Sequence, residues 1–403
     1  MTNCLSKNFT LNPNTATTGD NCGPHSPTSA VLTGGPVSPS TCHNYELLTL
    51  IGEGTYGQVF KAQDVSTGRL VAIKKIINRL TSDEHIRNEI NLLDQIRHRN
   101  IVQLIDRYDS REDEVYEPYV SNSKSSNTTT TTTPCHQTIA QYLVFEFCDF
   151  DLHQLLYDMR LQLSLAHIKN ILRQILKGMA YMHDRQVLHR DVKPENILVN
   201  ARGKVRIADF GFAQCLSGVS WSGFSAKVVT LAYRAPELLV GYRFYGTPID
   251  MWSVGCLMAE FWTRAGPLMD GDDERQQLIK ISRLCGPINS VSLLGVRDMY
   301  FMSDLYLPQM CRRRVRQMFA VQCVDDSNAV DLFDRLLSVN VDRRITAAQA
   351  LQHPLFAAEP KACDICHSLR SMFAANHPYN SGADKQCNSN KISNNYVNNK
   401  QYG

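Results

Sequence analysis

From Val187 to Gly211 the chain reads VLHRDVKPENILVNARGKVRIADFG, and this short stretch crowds Asp191, Lys193, Asn196 and Asp209 between two apolar runs. Two carboxylates, an ammonium and an amide lie on what read as loops between strands. Carboxylate and amide oxygens suit a hard divalent cation. An ammonium suits an anion as a compact point charge, and a carboxylate suits the proton of a hydroxyl.

Upstream, Gly52, Gly54, Gly57 and Val59 form a G-x-G-x-x-G-x-V pattern. Such loops approach phosphates in two contexts: one opens the helix of a βαβ unit, the other joins two antiparallel strands. Here QVFKA and LVAIKKI continue as strand, and no acidic residue about twenty positions on closes a βαβ unit convincingly. The hairpin context is therefore expected, with a ligand-free glycine hairpin as the bland alternative. Lys74 ends the apolar run VAIK, and an unpaired buried ammonium is costly. Glu89, three residues after Ile86 and four before Leu93, falls on the buried face of a helix and offers the anion. An edge glutamate in water is the alternative.

The elements that position these residues are legible from periodicity. Residues 45–77 carry β-branched and aromatic residues around glycine turns. Ile86, Ile90 and Leu93 recur at helical spacing, as do Ile168, Ile171, Leu172, Ile175, Leu176 and Met179. Met251–Trp262 is apolar nearly all round, as a helix at the centre of a lobe should be. A small strand-rich lobe followed by a larger helical lobe is the expectation. Three polar, low-complexity stretches read as disordered: residues 1–43, an insertion over about 108–141 that contains Thr128–Thr133, and a tail over 358–403.

The 403 residues include 43% apolar types, enough for a real core, and 42 basic against 39 acidic side chains give a net charge of +3. That near-balance argues against a general nucleic-acid coat. Thirteen cysteines without regular spacing, no apolar signal segment, and no run near the ~20 apolar residues of a membrane span imply reduced thiols and no membrane partner. The sequons at Asn8 and Asn127 are read as chance.

GEGTYG with Val59, VAIK, Glu89, HRDVKPEN, DFG and APE (Ala235–Glu237) occur in the order and rough spacing of the eukaryotic protein kinases. The resemblance covers about residues 44–357 and implies an α+β, two-lobed kinase fold. A small antiparallel lobe with one main helix (44–147) precedes a larger helical lobe (148–357). It also implies ATP and Mg2+ as cofactors. On this resemblance Asp191 accepts or orients the proton of the substrate hydroxyl, and Lys193 stabilises the transferring phosphate. Asn196 and Asp209 hold the metal, and Thr230 bridges Asp191 and Lys193. The nucleotide would lie under the loop Gly52, Glu53, Gly54, Thr55, Tyr56, Gly57 and Gln58, with Lys74 and Glu89 as its ion pair. Ile51, Val59, Ala72 and Leu198 would form the adenine slot, with Phe145 at its back. Glu146 and Cys148 would offer backbone hydrogen bonds, and Asp151 would meet the ribose. Glu237 and Arg344 form a structural ion pair on the same reading.

KVVTLAYRAPELLVG followed by YGTPIDMWSVGC resembles the cyclin-dependent kinases, in particular their transcription-elongation branch. That implies serine/threonine specificity, proline after the target residue, a cyclin partner (cyclin T-like) and nuclear location, with a cytoplasmic share left open. Ser26-Pro27 and Ser38-Pro39 are then candidate self-phosphorylation sites. The chain also departs from the family pattern. SDEHIRNE stands at the cyclin-contacting helix, and Ala232 stands where Trp or Tyr is usual. Ser225 takes the position of the activating phosphothreonine, and of the three arginines that grip it only Arg190 remains, because Asn88 and Gln214 replace the other two. Arg87 points away and Lys227 offers a weaker charge. RRRVR (Arg312–Arg316) reads equally as a nuclear-import stretch or a solvated face. Rival readings are a pseudokinase scaffold, a relative in the cyclin-dependent or MAP kinase group without a cyclin, and a haem or zinc site at CDICH (Cys363–His367).

Overall fold

The computed structural model describes residues 41–42, 44–54, 57–76, 83–112, 138–217, 223–289, 292–293, 311–322 and 326–369. Thr55, Tyr56, both sequons, both N-terminal Ser-Pro pairs and the Thr run lie outside the described residues.

The small lobe is a six-stranded antiparallel sheet in the order β1-β2-β3-β4-β6-β5. Its strands are β1 (Thr41–Cys42), β2 (Tyr45–Gly54), β3 (Gly57–Asp64), β4 (Leu70–Ile76), β5 (Leu104–Glu112) and β6 (Thr138–Glu146). The glycine stretch is the β2–β3 hairpin, with Gly54 paired to Gly57, and not the start of a helix. Gly57 has φ 140°, and a Cβ there would sit 1.9 Å from the carbonyl oxygen of Lys75, so only glycine fits. One side of the sheet packs Val59, Ala72, Ile76, Leu143 and Phe145 against helix α1 (Asp83–Gln95) through Ile90 and Leu93. The other buries Tyr45, Ala62, Val71, Ile73, Tyr142 and Val144, with Tyr108 stacked on Tyr142 at 4.9 Å.

Short strands β7 (Phe150–Asp151), β9 (Ile197–Val199) and β10 (Val205–Ile207) form a three-stranded sheet, and β8 (Val187–Leu188) pairs with β11 (Gln214–Cys215). The larger lobe holds α2 (Leu165–Asp184), α3 (Pro236–Leu239), α4 (Pro248–Thr263), α5 (Glu274–Cys285), α6 (Val315–Gln322), α7 (Ser327–Leu336) and α8 (Ala347–Leu351). Ser164 and His167 close a capping box at the start of α2, whose stripe from Ile168 to Met179 is buried. Buried residues run without a break from Ile249 to Phe261 in α4, as expected of an all-round apolar helix at a lobe centre.

Three expected segment boundaries move. Thr41 and Cys42 pair with Glu46 and Tyr45, so the sheet begins inside the stretch read as disordered. The insertion does not start at 108 or end at 141, because Tyr108–Glu112 pair with Thr138–Tyr142 and extend the β5–β6 hairpin. The packed domain also continues past 358. Ile365 and Leu369, four apart on a helical turn, are 0% and 1% exposed in the large core, and Lys169 donates to the carbonyls of Ala358, Glu359 and Pro360. Polar composition hid these short apolar anchors.

Candidate active site

Lys74 sits on the inward face of β4 and Glu89 on the inward face of α1. Their Nζ–Oε1 distance is 2.7 Å, and both side chains are under a tenth exposed. Asp209 Oδ1 lies 3.7 Å from the same ammonium. Burial disfavours the charged lysine, but the two carboxylates outweigh it and hold the ammonium above its ordinary pKa.

Beside this pair a cavity of about 430 Å³ opens between the lobes, within the size range of small-ligand sites. It is lined by Ile51, Gly52, Glu53, Val59, Ala72, Glu146, Cys148, Asp151 and Leu198. Leu50, Phe147, Asp149, Phe150 and Gln154 also line it and had not been singled out in the sequence. Phe145 pairs with Ala72 across the sheet and is buried behind the cavity wall. The Gln58 amide donates to Glu53 at 3.1 Å across the hairpin. The Glu146 N–H donates to the Gln103 carbonyl, while its carboxylate accepts from Arg206 at 2.7 Å. Only its carbonyl could therefore serve a ligand. Burial pushes the Cys148 thiol up to about 12, which keeps it a neutral thiol at neutral pH. Gln154 could have been found from Asp151, because the Gln154 N–H caps the Asp151 carboxylate at 2.8 Å.

The loop after β8 brings the polar residues together. Lys193 Nζ donates to Asp191 Oδ2 at 2.7 Å and to Thr230 Oγ1 at 3.0 Å. Thr230 donates its hydroxyl to Asp191 Oδ1 at 2.8 Å and its N–H to the same oxygen at 3.2 Å. Asn196 Nδ2 donates to the Asp191 carbonyl at 2.8 Å and to Oδ2 at 2.9 Å. Both carboxylate oxygens are thus clamped, and the amide of Asn196 is turned so that its nitrogen faces Asp191. Asp209 adopts φ 63°, a conformation uncommon outside glycine, beside the buried ring of Phe210, which packs edge-on to His189 at 5.3 Å.

Asp250, at the start of α4, is a positioning residue that the sequence reading did not assign. Its carboxylate accepts the N–H groups of His189 at 3.0 Å and Arg190 at 2.9 Å, and meets His183 Nε2 at 2.9 Å. Burial works against its ionisation, but these donors prevail and its pKa is lowered. A carboxylate opening an otherwise apolar helix was the available signal.

Arg190 is buried. Its Nε donates to the Phe212 carbonyl at 2.6 Å and its Nη1 to the Tyr245 hydroxyl at 3.2 Å. Asn88, Arg87, Ser225 and Lys227 are exposed. Glu237 and Arg344 form a bidentate pair at 2.7 and 3.0 Å, almost fully buried. In RRRVR, Arg313 donates to Asp334 at 2.7 Å, and Arg316 pairs with Asp331 and Asp334. Those two arginines pin the run to α7, which favours a structural role for it. Asp364 within CDICH meets Lys204 at 3.4 Å, and among the described residues no group of His, Cys, Asp and Glu is arranged to hold a metal ion.

Residues 45–356 match the protein kinase domain family. The chain is 38% identical to cyclin-dependent kinase 9 of Xenopus tropicalis over 339 residues, covering 82% of this chain and 86% of that one. It is 37% identical to the Homo sapiens cyclin-dependent kinase 9 over 327 residues, covering 80% and 82%. Among solved structures, the crystal structure of the yeast RNA Pol II CTD kinase CTDK-1 complex superposes with a TM-score of 0.66 at 28% identity, covering 84% of this chain and all of the matched one. The chain therefore belongs to the protein kinases and, within them, to the cyclin-dependent serine/threonine kinases.

Proposed function

We propose that this kinase is proline-directed, works with a cyclin of the T type in the nucleus, and uses Mg2+ with ATP on substrates resembling RNA polymerase II C-terminal repeats. The observation that carries the substrate class is the backbone of Val229. This β-branched residue has φ 70°, a strained value, and its carbonyl accepts from Arg234 Nε at 3.2 Å and Nη2 at 3.0 Å. Glu274 fixes that guanidinium from the far side at 2.7 Å. With the carbonyl already engaged, a substrate N–H at the residue after the target finds no acceptor, and proline has no N–H to leave unsatisfied.

The site's charge fits a divalent cation. Around Lys74 and Lys193 stand Glu89, Asp191 and Asp209, three carboxylates for two ammoniums, leaving negative charge that a metal would offset. Asp209 and the Asn196 Oδ1 would hold it, both being hard oxygen donors. When bound, Mg2+ neutralises phosphate charge during transfer. Lys74 would hold the nucleotide phosphates, and the cavity walls Ile51, Val59, Ala72 and Leu198 the adenine. Asp191, with both oxygens clamped, orients the substrate hydroxyl and takes its proton as the oxygen attacks. Lys193 faces the same point with a cation for the phosphoryl oxygens.

A peptide array tests the substrate class. Ser-Pro and Thr-Pro peptides should be phosphorylated on the order of tenfold faster or better than their Ser-Ala and Thr-Ala counterparts. Equal rates would contradict the reading. Mass spectrometry of the protein isolated from cells should find a cyclin in stoichiometric amount, and a partner-free active enzyme would contradict that part.

A further inference from the structure

The activation segment is fastened by its backbone to Arg243 and Tyr245. Phe224 is buried, its N–H donating to the Arg243 carbonyl at 2.8 Å and its carbonyl accepting from Arg243 Nε at 3.1 Å. The next carbonyl, that of Ser225, accepts the Tyr245 hydroxyl at 2.6 Å. That hydroxyl accepts in turn from Arg190 Nη1 at 3.2 Å. The Arg190 guanidinium lies 5.9 Å from the centroid of the Phe224 ring, which packs on Tyr245 at 5.4 Å. One phenol thus links Arg190, the neighbour of Asp191, to the backbone just upstream of Thr230, which clamps Asp191.

A phosphate on the exposed Ser225 would have to draw on cations that already hold other partners. Two donor positions of Arg190 and the Nε of Arg243 are engaged, Asn88 and Gln214 are neutral, and Lys227 offers only a point charge. Burial raises the Tyr245 phenol above its ordinary pKa despite the adjacent cation, so it stays a donor across the working pH range.

We propose that Tyr245 is a positioning residue whose hydroxyl, and not a phosphate on Ser225, locks the activation segment in its substrate-ready shape. Removing the hydroxyl leaves the Ser225 carbonyl and an Arg190 N–H without their partner, and freeing the segment lowers the fraction of enzyme that presents a complete peptide site.

The test uses the full chain, isolated with the cyclin it retains and treated with phosphatase until mass spectrometry finds Ser225 unmodified. Wild type and Ser225→Ala should then match the untreated enzyme within about twofold. Tyr245→Phe, which keeps the ring, should lose about tenfold in kcat/KM for peptide. Its KM for ATP should not change, and deuterium exchange over residues 223–230 should be faster. A tyrosine with a merely structural role would lower the thermal midpoint and leave peptide kinetics and local exchange of the folded enzyme at wild-type values, which overturns the proposal. So does a dephosphorylated wild type that is inactive and is restored when Ser225 is phosphorylated.

Discussion

Thr230 donates its hydroxyl to Asp191 Oδ1 at 2.8 Å, although 39 residues separate them in the chain. This contact joins the activation segment to the loop that carries Asp191, so the order of one is felt directly in the other. With Lys193 and Asn196 on the other oxygen, Asp191 has no freedom to turn away from an incoming hydroxyl.

Thr230→Val keeps the shape of the side chain and removes the donor. Hydrogen bonds to charged groups are worth about 1.5–3 kcal/mol, so kcat should fall on the order of tenfold to a hundredfold with the KM for ATP little changed. Steady-state kinetics with varied ATP and fixed peptide would check this. A loss confined to KM would assign Thr230 to binding instead.

Lys74→Met leaves the buried Glu89 carboxylate and its neighbour Asp209 without their cation. Breaking a buried pair in this way costs about 3–5 kcal/mol, so the apo-protein should unfold at visibly lower denaturant, and nucleotide affinity should fall as well. Lys74→Met combined with Glu89→Leu should recover much of the stability and none of the affinity. Failure of the double variant to regain stability would show that the stranded charge is not the cause.

The charged residues of this site stood out by type and spacing, and the roles expected of them came from the resemblance to the protein kinases. Glu89 falls on the buried face of α1 and Lys74 ends an apolar strand that needs an anion, and the structure joins the two at 2.7 Å. Asp191, Lys193 and Asn196 lie within a few residues of one another, so local chain geometry brings them together. Asp250 and Tyr245 were not found, because each acts through a contact set by tertiary packing. Asp250 reaches loop amides 60 and 61 residues away. The segment boundaries failed for a related reason: Ile365 and Leu369 are two apolar residues in a polar stretch, too few to register as periodicity. They are buried because α2 and the large core already stand beside them.

Glu260 should give stability a pH dependence. Its carboxyl lies between the hydroxyls of Tyr157 and Tyr233, and burial pushes its pKa from 4.5 up to about 7 against the pull of those donors. The folded state therefore holds a proton that the unfolded chain has released between those values. The associated stability is fully present below about 4.5 and is lost progressively as pH rises to about 7, a change on the order of 3 kcal/mol. Thermal midpoints measured from pH 5 to pH 8 should fall more steeply for wild type than for Glu260→Gln. Parallel profiles would contradict the assignment.

Arg344→Ala would leave Glu237 buried with neither of its two guanidinium donors. The expected loss is about 3–5 kcal/mol of stability. Enzyme that remains folded at low temperature should still transfer phosphate, because the pair touches neither the cavity nor Asp191. Chemical denaturation and a cold activity assay separate the two effects. A folded but inactive variant would place this pair in the mechanism.

In the proposed mechanism Asp191 serves the substrate hydroxyl while other groups hold the nucleotide. The most direct measurement compares wild type and Asp191→Asn, purified as full chains, for transfer from radiolabelled ATP to a basic Ser-Pro peptide and for ATP binding by calorimetry. Transfer by the variant should fall by roughly 10²–10⁴-fold with ATP affinity within about twofold of wild type. Near-normal turnover by Asp191→Asn, or an equal loss of ATP binding, would contradict the account.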